Sequence, residues 1–135
     1  MDLIQNWPYK WFGLWKEQGK MFRKCPSVYD FIRPDLVGRY RLNELRHYLD
    51  NSTEVSATSG MYMPDPFTGE EINSSVCYMT DGDWLWLDTL PYLIEKYHIA
   101  IPKAFIKHIE KNRYKPVSDF IDFDLLDWPS KHIKV

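Results

Sequence analysis

Val76-Cys77-Tyr78-Met79-Thr80-Asp81-Gly82-Asp83-Trp84-Leu85-Trp86-Leu87 is the stretch from which the fold is read. Two runs of β-forming residues flank Asp81-Gly82, a dipeptide that accepts the positive φ angles of a type I′ turn, so residues 76–87 predict a β-hairpin. On its second strand Trp84 and Trp86 share one face and Leu85 and Leu87 the other. Because both faces are apolar, the hairpin is expected to be covered on each side, the alternative being that one face is kept for a partner.

Helical patterns surround it. Leu90, Leu93, Ile94 and Tyr97 follow the i, i+3, i+4, i+7 template, and Asp88 is placed to cap that helix. Pro102 suits the start of another, which turns Phe105, Ile106 and Ile109 inward and Lys103, Lys107 and Lys111 along one outer face. Upstream, Leu42, Leu45, Tyr48 and Leu49 predict a helix over about 40–50, with Arg41, Glu44, Arg46 and His47 directed outward. Ser27 heads a short capped segment that Pro34 limits to one or two turns. Trp7, Trp11 and Trp15 recur every fourth residue with Leu14, Met21 and Phe22, which predicts a helix over 7–22 whose tryptophans pack into the core rather than form a stacking platform. Turn formers dominate 51–75, read as loop or irregular hairpin. Residues 121–125 alternate apolar and acidic, which suits a half-buried strand, although Phe120, Leu126 and Trp128 also permit a short helix. The fold class expected is α+β: a helix-rich single domain over 1–135, with a small antiparallel sheet packed against helices.

Composition agrees with a folded domain. The chain has 135 residues, 44% hydrophobic and 16% aromatic, so large rings should dominate its core. Cys25 and Cys77 match no metal or redox spacing and read as free thiols of a reducing compartment. The first residues lack a secretion signal, and no stretch reaches the roughly 18 apolar residues of a membrane span. The expectation is a cytoplasmic protein without a membrane partner.

Charge is segregated along the chain. Between His47 and Glu95 there are nine carboxylates and no lysine or arginine, whereas residues 1–46 and 96–135 carry net charges of +4 and +3. If the acidic segment folds onto one surface, its field attracts a cationic partner, because like charges add within a Debye length of roughly 8 Å.

Motifs for chemistry are missing from the sequence. The histidines His47, His98, His108 and His132 form no His-x3-His pair and lie near no cysteine at zinc-ligand spacing. An EF-hand loop begun at Asp81 would need glutamate where Tyr92 stands. No nucleophile elbow, phosphate loop or dinucleotide fingerprint occurs, and Glu70-Glu71 on a strand would point to opposite faces. No enzymatic activity, metal or cofactor is expected.

Thr80-Asp81-Gly82, the alternating Trp84 and Trp86, Glu95-Lys96-Tyr97, then Ile101-Pro102 with Phe105 and Ile109, resemble small bacterial proteins, some of which look like immunity proteins encoded beside polymorphic or contact-dependent growth-inhibition toxins. The resemblance covers about a quarter of the chain, mainly residues 76–109. It implies a protein that binds and neutralises a cationic toxin domain, such as a nuclease, without catalysis or direct contact with nucleic acid. The toxin-binding candidates are Asp50, Glu54, Asp65, Glu70, Glu71, Asp81 and Asp83, with Tyr62, Phe67 or Trp84 as aromatic anchors. Turn positions should keep Asp65, Glu70, Glu71, Asp81 and Asp83 out of the core. Two rival readings are a nucleic-acid-binding accessory protein using Arg39, Arg41 and Arg46 or the lysine stripe, and a small carbohydrate-active or carbohydrate-binding domain.

Overall fold

The hairpin read from residues 76–87 is the middle of a larger sheet in the computed structural model, which describes residues 3–19, 22–117 and 126, with Val37, 56–63 and 73–76 as backbone only. Strands β1 (Trp11–Phe12), β2 (Thr53–Pro64), β3 (Glu71–Thr80) and β4 (Leu85–Leu87) form a four-stranded sheet in the order β1-β4-β3-β2. Neighbours are antiparallel except β1 and β4, which run parallel and make the sheet mixed. Helices α1 (Pro34–Val37), α2 (Leu42–Asn51), α3 (Leu90–Tyr97) and α4 (Lys103–Lys111) complete the α+β fold. Among the described residues no helix is long and apolar enough to cross a membrane.

The three periodic helices form where the apolar spacing places them. In α2, Leu45, Tyr48 and Leu49 are buried, while Arg41, Glu44, Arg46 and His47 are exposed. Phe105 and Ile109 of α4 are buried and its lysines exposed, with Pro102 at the N-cap. α3 starts later than an Asp88 cap requires. The Asp88 N–H is committed to the Cys77 carbonyl at 3.0 Å, which holds that residue beside β3, and Thr89 takes the cap position. Ser27 does cap, accepting the Tyr29 N–H, but the turn is a single 3-10 turn over Val28–Phe31, and Pro34 then opens α1.

Both faces of β4 are covered. Trp86, Leu85 and Leu87 are fully buried, the Trp86 indole N–H donates to the Leu49 carbonyl of α2, and Trp84 stacks on Phe105 of α4 at 4.4 Å. The connection before β4 differs from a two-residue type I′ turn. Thr80 pairs directly with Leu85, leaving residues 81–84 as the loop, in which Gly82 alone has positive φ.

Of the two remaining segments, one takes the irregular-hairpin form among its two expected forms and the other departs from expectation. Residues 53–75 form β2, the turn after it and the first half of β3, a long hairpin whose register shifts between Ser59 and Met63 and again before Pro64. These irregularities account for the turn-rich composition. Residues 7–15 are not helical, and Lys16–Gln18 make only a single 3-10 turn. Trp11, Phe12, Gly13, Leu14 and Trp15 are all buried, and burial of five consecutive residues fits an extended chain threaded through the core better than one helical face. Gly13 has φ +92°, and Trp11–Phe12 lies parallel to Leu85–Trp86 as β1. The Trp7 indole N–H donates to the Trp11 carbonyl at 2.7 Å, and Phe12 packs edge-on against both Trp15 and Phe31. Core packing of the tryptophans was read correctly; the element was not. Met21 and the segment 121–125, with Phe120 and Trp128, lie outside the described residues.

Candidate functional site

Each antiparallel hairpin is closed by a connection that begins with an aspartate. In the β2–β3 connection, 65–70, Asp65 is only 1% exposed. Its Oδ1 accepts the N–H groups of Phe67 and Thr68 at 2.8 and 3.2 Å, an Asx turn that shapes the loop. Its Oδ2 accepts the hydroxyls of Tyr97 at 2.6 Å and Tyr92 at 3.0 Å, both from α3, and Lys96 stands 3.9 Å away. Burial pushes the Asp65 carboxyl up, but the hydrogen bonds from Tyr97, the Phe67 N–H, Tyr92 and the Thr68 N–H outweigh it and hold the group below the usual range. The Tyr97 phenol is pushed up to about 12 by burial and by that carboxylate.

Asp81 in the β3–β4 connection repeats the arrangement. It is 4% exposed, and its Oδ1 accepts the N–H groups of Asp83 and Trp84 at 3.0 and 2.8 Å. Its Oδ2 accepts the hydroxyl of buried Tyr48 at 2.5 Å and lies 3.1 Å from Nε2 of His108 on α4. Burial, then the charge and hydrogen bond of Asp81, push the Tyr48 phenol far up. Asp83, with a side chain 64% exposed, brings its Oδ2 within 3.5 Å of the same imidazole nitrogen. The donor atoms of Asp81, Asp83 and His108 all lie within 4.8 Å of one another, and these three residues are the ones able to hold a metal ion among the described residues.

Turn position therefore did not keep every candidate exposed. Asp65 and Asp81 are buried because side chains of α3, or of α2 and α4, cover their second oxygens, and each is compensated by phenol donors. Trp84, 1% exposed and stacked on Phe105, is a core residue and offers no anchor. Asp50 is exposed but paired with Arg46 at 3.3 Å, and the same guanidinium reaches Glu95 at 2.7 Å. Tyr62 is described as backbone only. Glu54, Glu70, Glu71 and Asp83 remain as exposed carboxylates. They do not gather on one surface. Thr53 pairs with Thr80 and Pro64 with Glu71, so Glu54 and Asp83 sit at one end of the hairpin and Glu70 and Glu71 at the other. From Glu71 to Thr80 is nine steps of strand, roughly 30 Å along the chain at 3.4 Å each, several Debye lengths.

At the Glu70–Glu71 end the carboxylates have aromatic neighbours. Phe67 packs against Tyr97 at a centroid distance of 4.1 Å and against Tyr29 at 5.1 Å. Tyr29 is the one exposed large hydrophobic residue among those described, at 58%. Lys96 hydrogen-bonds the Tyr92 hydroxyl and lies over the rings of Tyr92 and Tyr97 at 5.2 and 5.5 Å. Sequence reading found Phe67, Glu70 and Glu71 but missed Tyr29, Tyr92 and Tyr97. The usable signal was Asp65-Pro66-Phe67-Thr68-Gly69, an aspartate heading a turn, which asks for partners on its second oxygen.

The basic residues are divided as well. Arg39 and Arg41 line a cleft of ≈ 490 Å³ together with Arg113, Tyr114, Glu44 and Glu110, whereas Arg46 is engaged by Asp50 and Glu95. Both cysteines are free and buried; burial pushes the Cys25 thiol up to about 11, and burial with the Glu54 carboxylate pushes Cys77 up to about 12. No family model matches the chain, and no curated protein or solved structure matches it. Fold and site together define an α+β domain that presents an acidic and aromatic surface at the end of its longest hairpin.

Proposed function

We propose that this chain is an immunity protein, which binds and neutralises a cationic toxin domain in the cytoplasm without catalysis of its own. One observation carries the reading: exposed Tyr29 packs on Phe67 of the connection that ends in exposed Glu70, beside exposed Glu71 at the start of β3. Aromatic rings held in place make interface anchors, since little side-chain freedom is lost on binding, and adjacent carboxylates speed encounter with a basic surface. Lysine or arginine from the partner would find both a carboxylate and a ring face there. A toxin that cuts nucleic acid has a cleft suited to phosphates, and Glu70 with Glu71 supplies negative charge in their place. Asp65 positions the connection and makes no contact of its own with the partner.

The test is a calorimetric titration of the full chain against the toxin domain encoded beside its reading frame, at low and physiological salt. Glu70→Lys with Glu71→Lys, or Tyr29→Ala with Phe67→Ala, should weaken binding at least tenfold, the first with loss of salt dependence. Unchanged affinity in both double variants overturns the proposal.

A second reading rests on the cleft lined by Arg39, Arg41 and Arg113, which suits an anionic ligand such as nucleic acid. Phosphate contacts would make log affinity fall steeply with log salt in a filter-binding assay, and no retention at low salt removes this reading.

A further inference from the structure

We infer that Asp81, Asp83 and His108 form a binding site for a divalent transition-metal ion of the zinc class, at the end of the hairpin remote from Glu70 and Glu71. Two carboxylates converge on one imidazole nitrogen: Nε2 of His108 is 3.1 Å from Oδ2 of Asp81 and 3.5 Å from Oδ2 of Asp83. A ring nitrogen carries at most one hydrogen, so it cannot serve both oxygens well.

Asp81 is already satisfied without it. Its Oδ1 takes two backbone N–H groups, and its Oδ2 takes the Tyr48 hydroxyl, which in turn accepts from the Asn112 amide at 2.9 Å. The Asn112 amide nitrogen also approaches Nε2 of His108, at 3.4 Å. With that nitrogen unprotonated, and its lone pair given to an ion in place of the Asn112 N–H, three electron-pair donors lie within 4.8 Å of one another, close enough to share a cation.

The spacing fits. Ligands about 2.0–2.1 Å from a tetrahedral zinc ion stand roughly 3.3 Å apart; the two separations from the imidazole nitrogen bracket that value, and the two carboxylate oxygens lie within 4.8 Å of each other. Imidazole with carboxylates selects a first-row transition ion over calcium or magnesium, which favour oxygen alone. Tyr48 and Asn112 supply the outer hydrogen bonds that hold a ligating carboxylate in orientation. Asp83 is exposed, so the ion has an entry path and its fourth position opens to solvent. Bound there, it would join the β3–β4 connection to α4.

Zinc chloride titrated into the full chain, freed of metal by chelator, tests this through thermal unfolding, with cobalt absorption as the report on geometry. One equivalent should bind saturably at micromolar concentration, raise the midpoint, and give the intense visible bands of tetrahedral cobalt. His108→Gln and Asp83→Asn should each weaken binding at least tenfold, while His47→Gln and His98→Gln leave it intact. If His108→Gln does not fold, Asp83→Asn decides, since its side chain lies at the surface. No saturable binding below about 1 mM, or binding unchanged in the folded variants, overturns the inference.

Discussion

The 65–70 and 81–84 connections solve one problem in the same way and then diverge. Each uses an aspartate whose Oδ1 caps its own turn and whose Oδ2 ties the turn to a helix through a phenol. Asp65 meets half-buried tyrosines and a lysine, which leaves its loop with outward-facing rings and glutamates. Asp81 meets the fully buried Tyr48, and a second carboxylate and an imidazole gather beside it. A run of like charges in sequence thus includes two buried structural carboxylates, two that Arg46 holds and two separate exposed sets.

The largest expected effect separates the two aspartates. Asp81→Ala should cost about 4 kcal/mol, since it strands the Tyr48 hydroxyl in the core and removes two turn hydrogen bonds. Asp65→Ala should cost less, about 3 kcal/mol, because Tyr92 and Tyr97 can turn towards water. Urea denaturation measures both, and equal or reversed costs would break the comparison. Asp65 also has a pH signature. Its folded pKa lies below its unfolded value near 3.9, so its contribution is complete above about pH 4 and is lost as pH falls through the lower folded value. Asp65→Asn should remove that acid-limb slope from the stability profile.

The helices α2, α3 and α4 were legible because each buries one face, and periodicity reports one-sided burial. The N-terminal segment was not, because tryptophans at helical spacing are equally compatible with an extended chain buried on every side. Gly13 tests this by sign. Alanine at φ +92°, with its Cβ 3.1 Å from Leu90, should destabilise by about 1–2 kcal/mol, whereas in a helix it would stabilise by about 1 kcal/mol. Half of the candidate site was legible. Glu70 and Phe67 declare themselves as turn residues and Glu71 as their neighbour, but Asp65 is buried by tyrosines 27 and 32 positions away, and Asp81 meets His108 across 27. Such contacts leave no local spacing to read.

The smallest effects on stability belong to the exposed carboxylates. Glu70→Lys with Glu71→Lys and Glu54→Lys with Asp83→Lys should each stay within about 0.5 kcal/mol of the parent, which denaturation checks before any binding experiment.

Those two double variants, titrated in chelator against the cationic toxin domain proposed as partner, test the central claim most directly. The account predicts that reversal at Glu70 and Glu71 lowers affinity at least tenfold, about 1.4 kcal/mol, while reversal at Glu54 and Asp83 leaves it within twofold. Equal losses from the two ends, or loss from the Glu54 and Asp83 end alone, would contradict it.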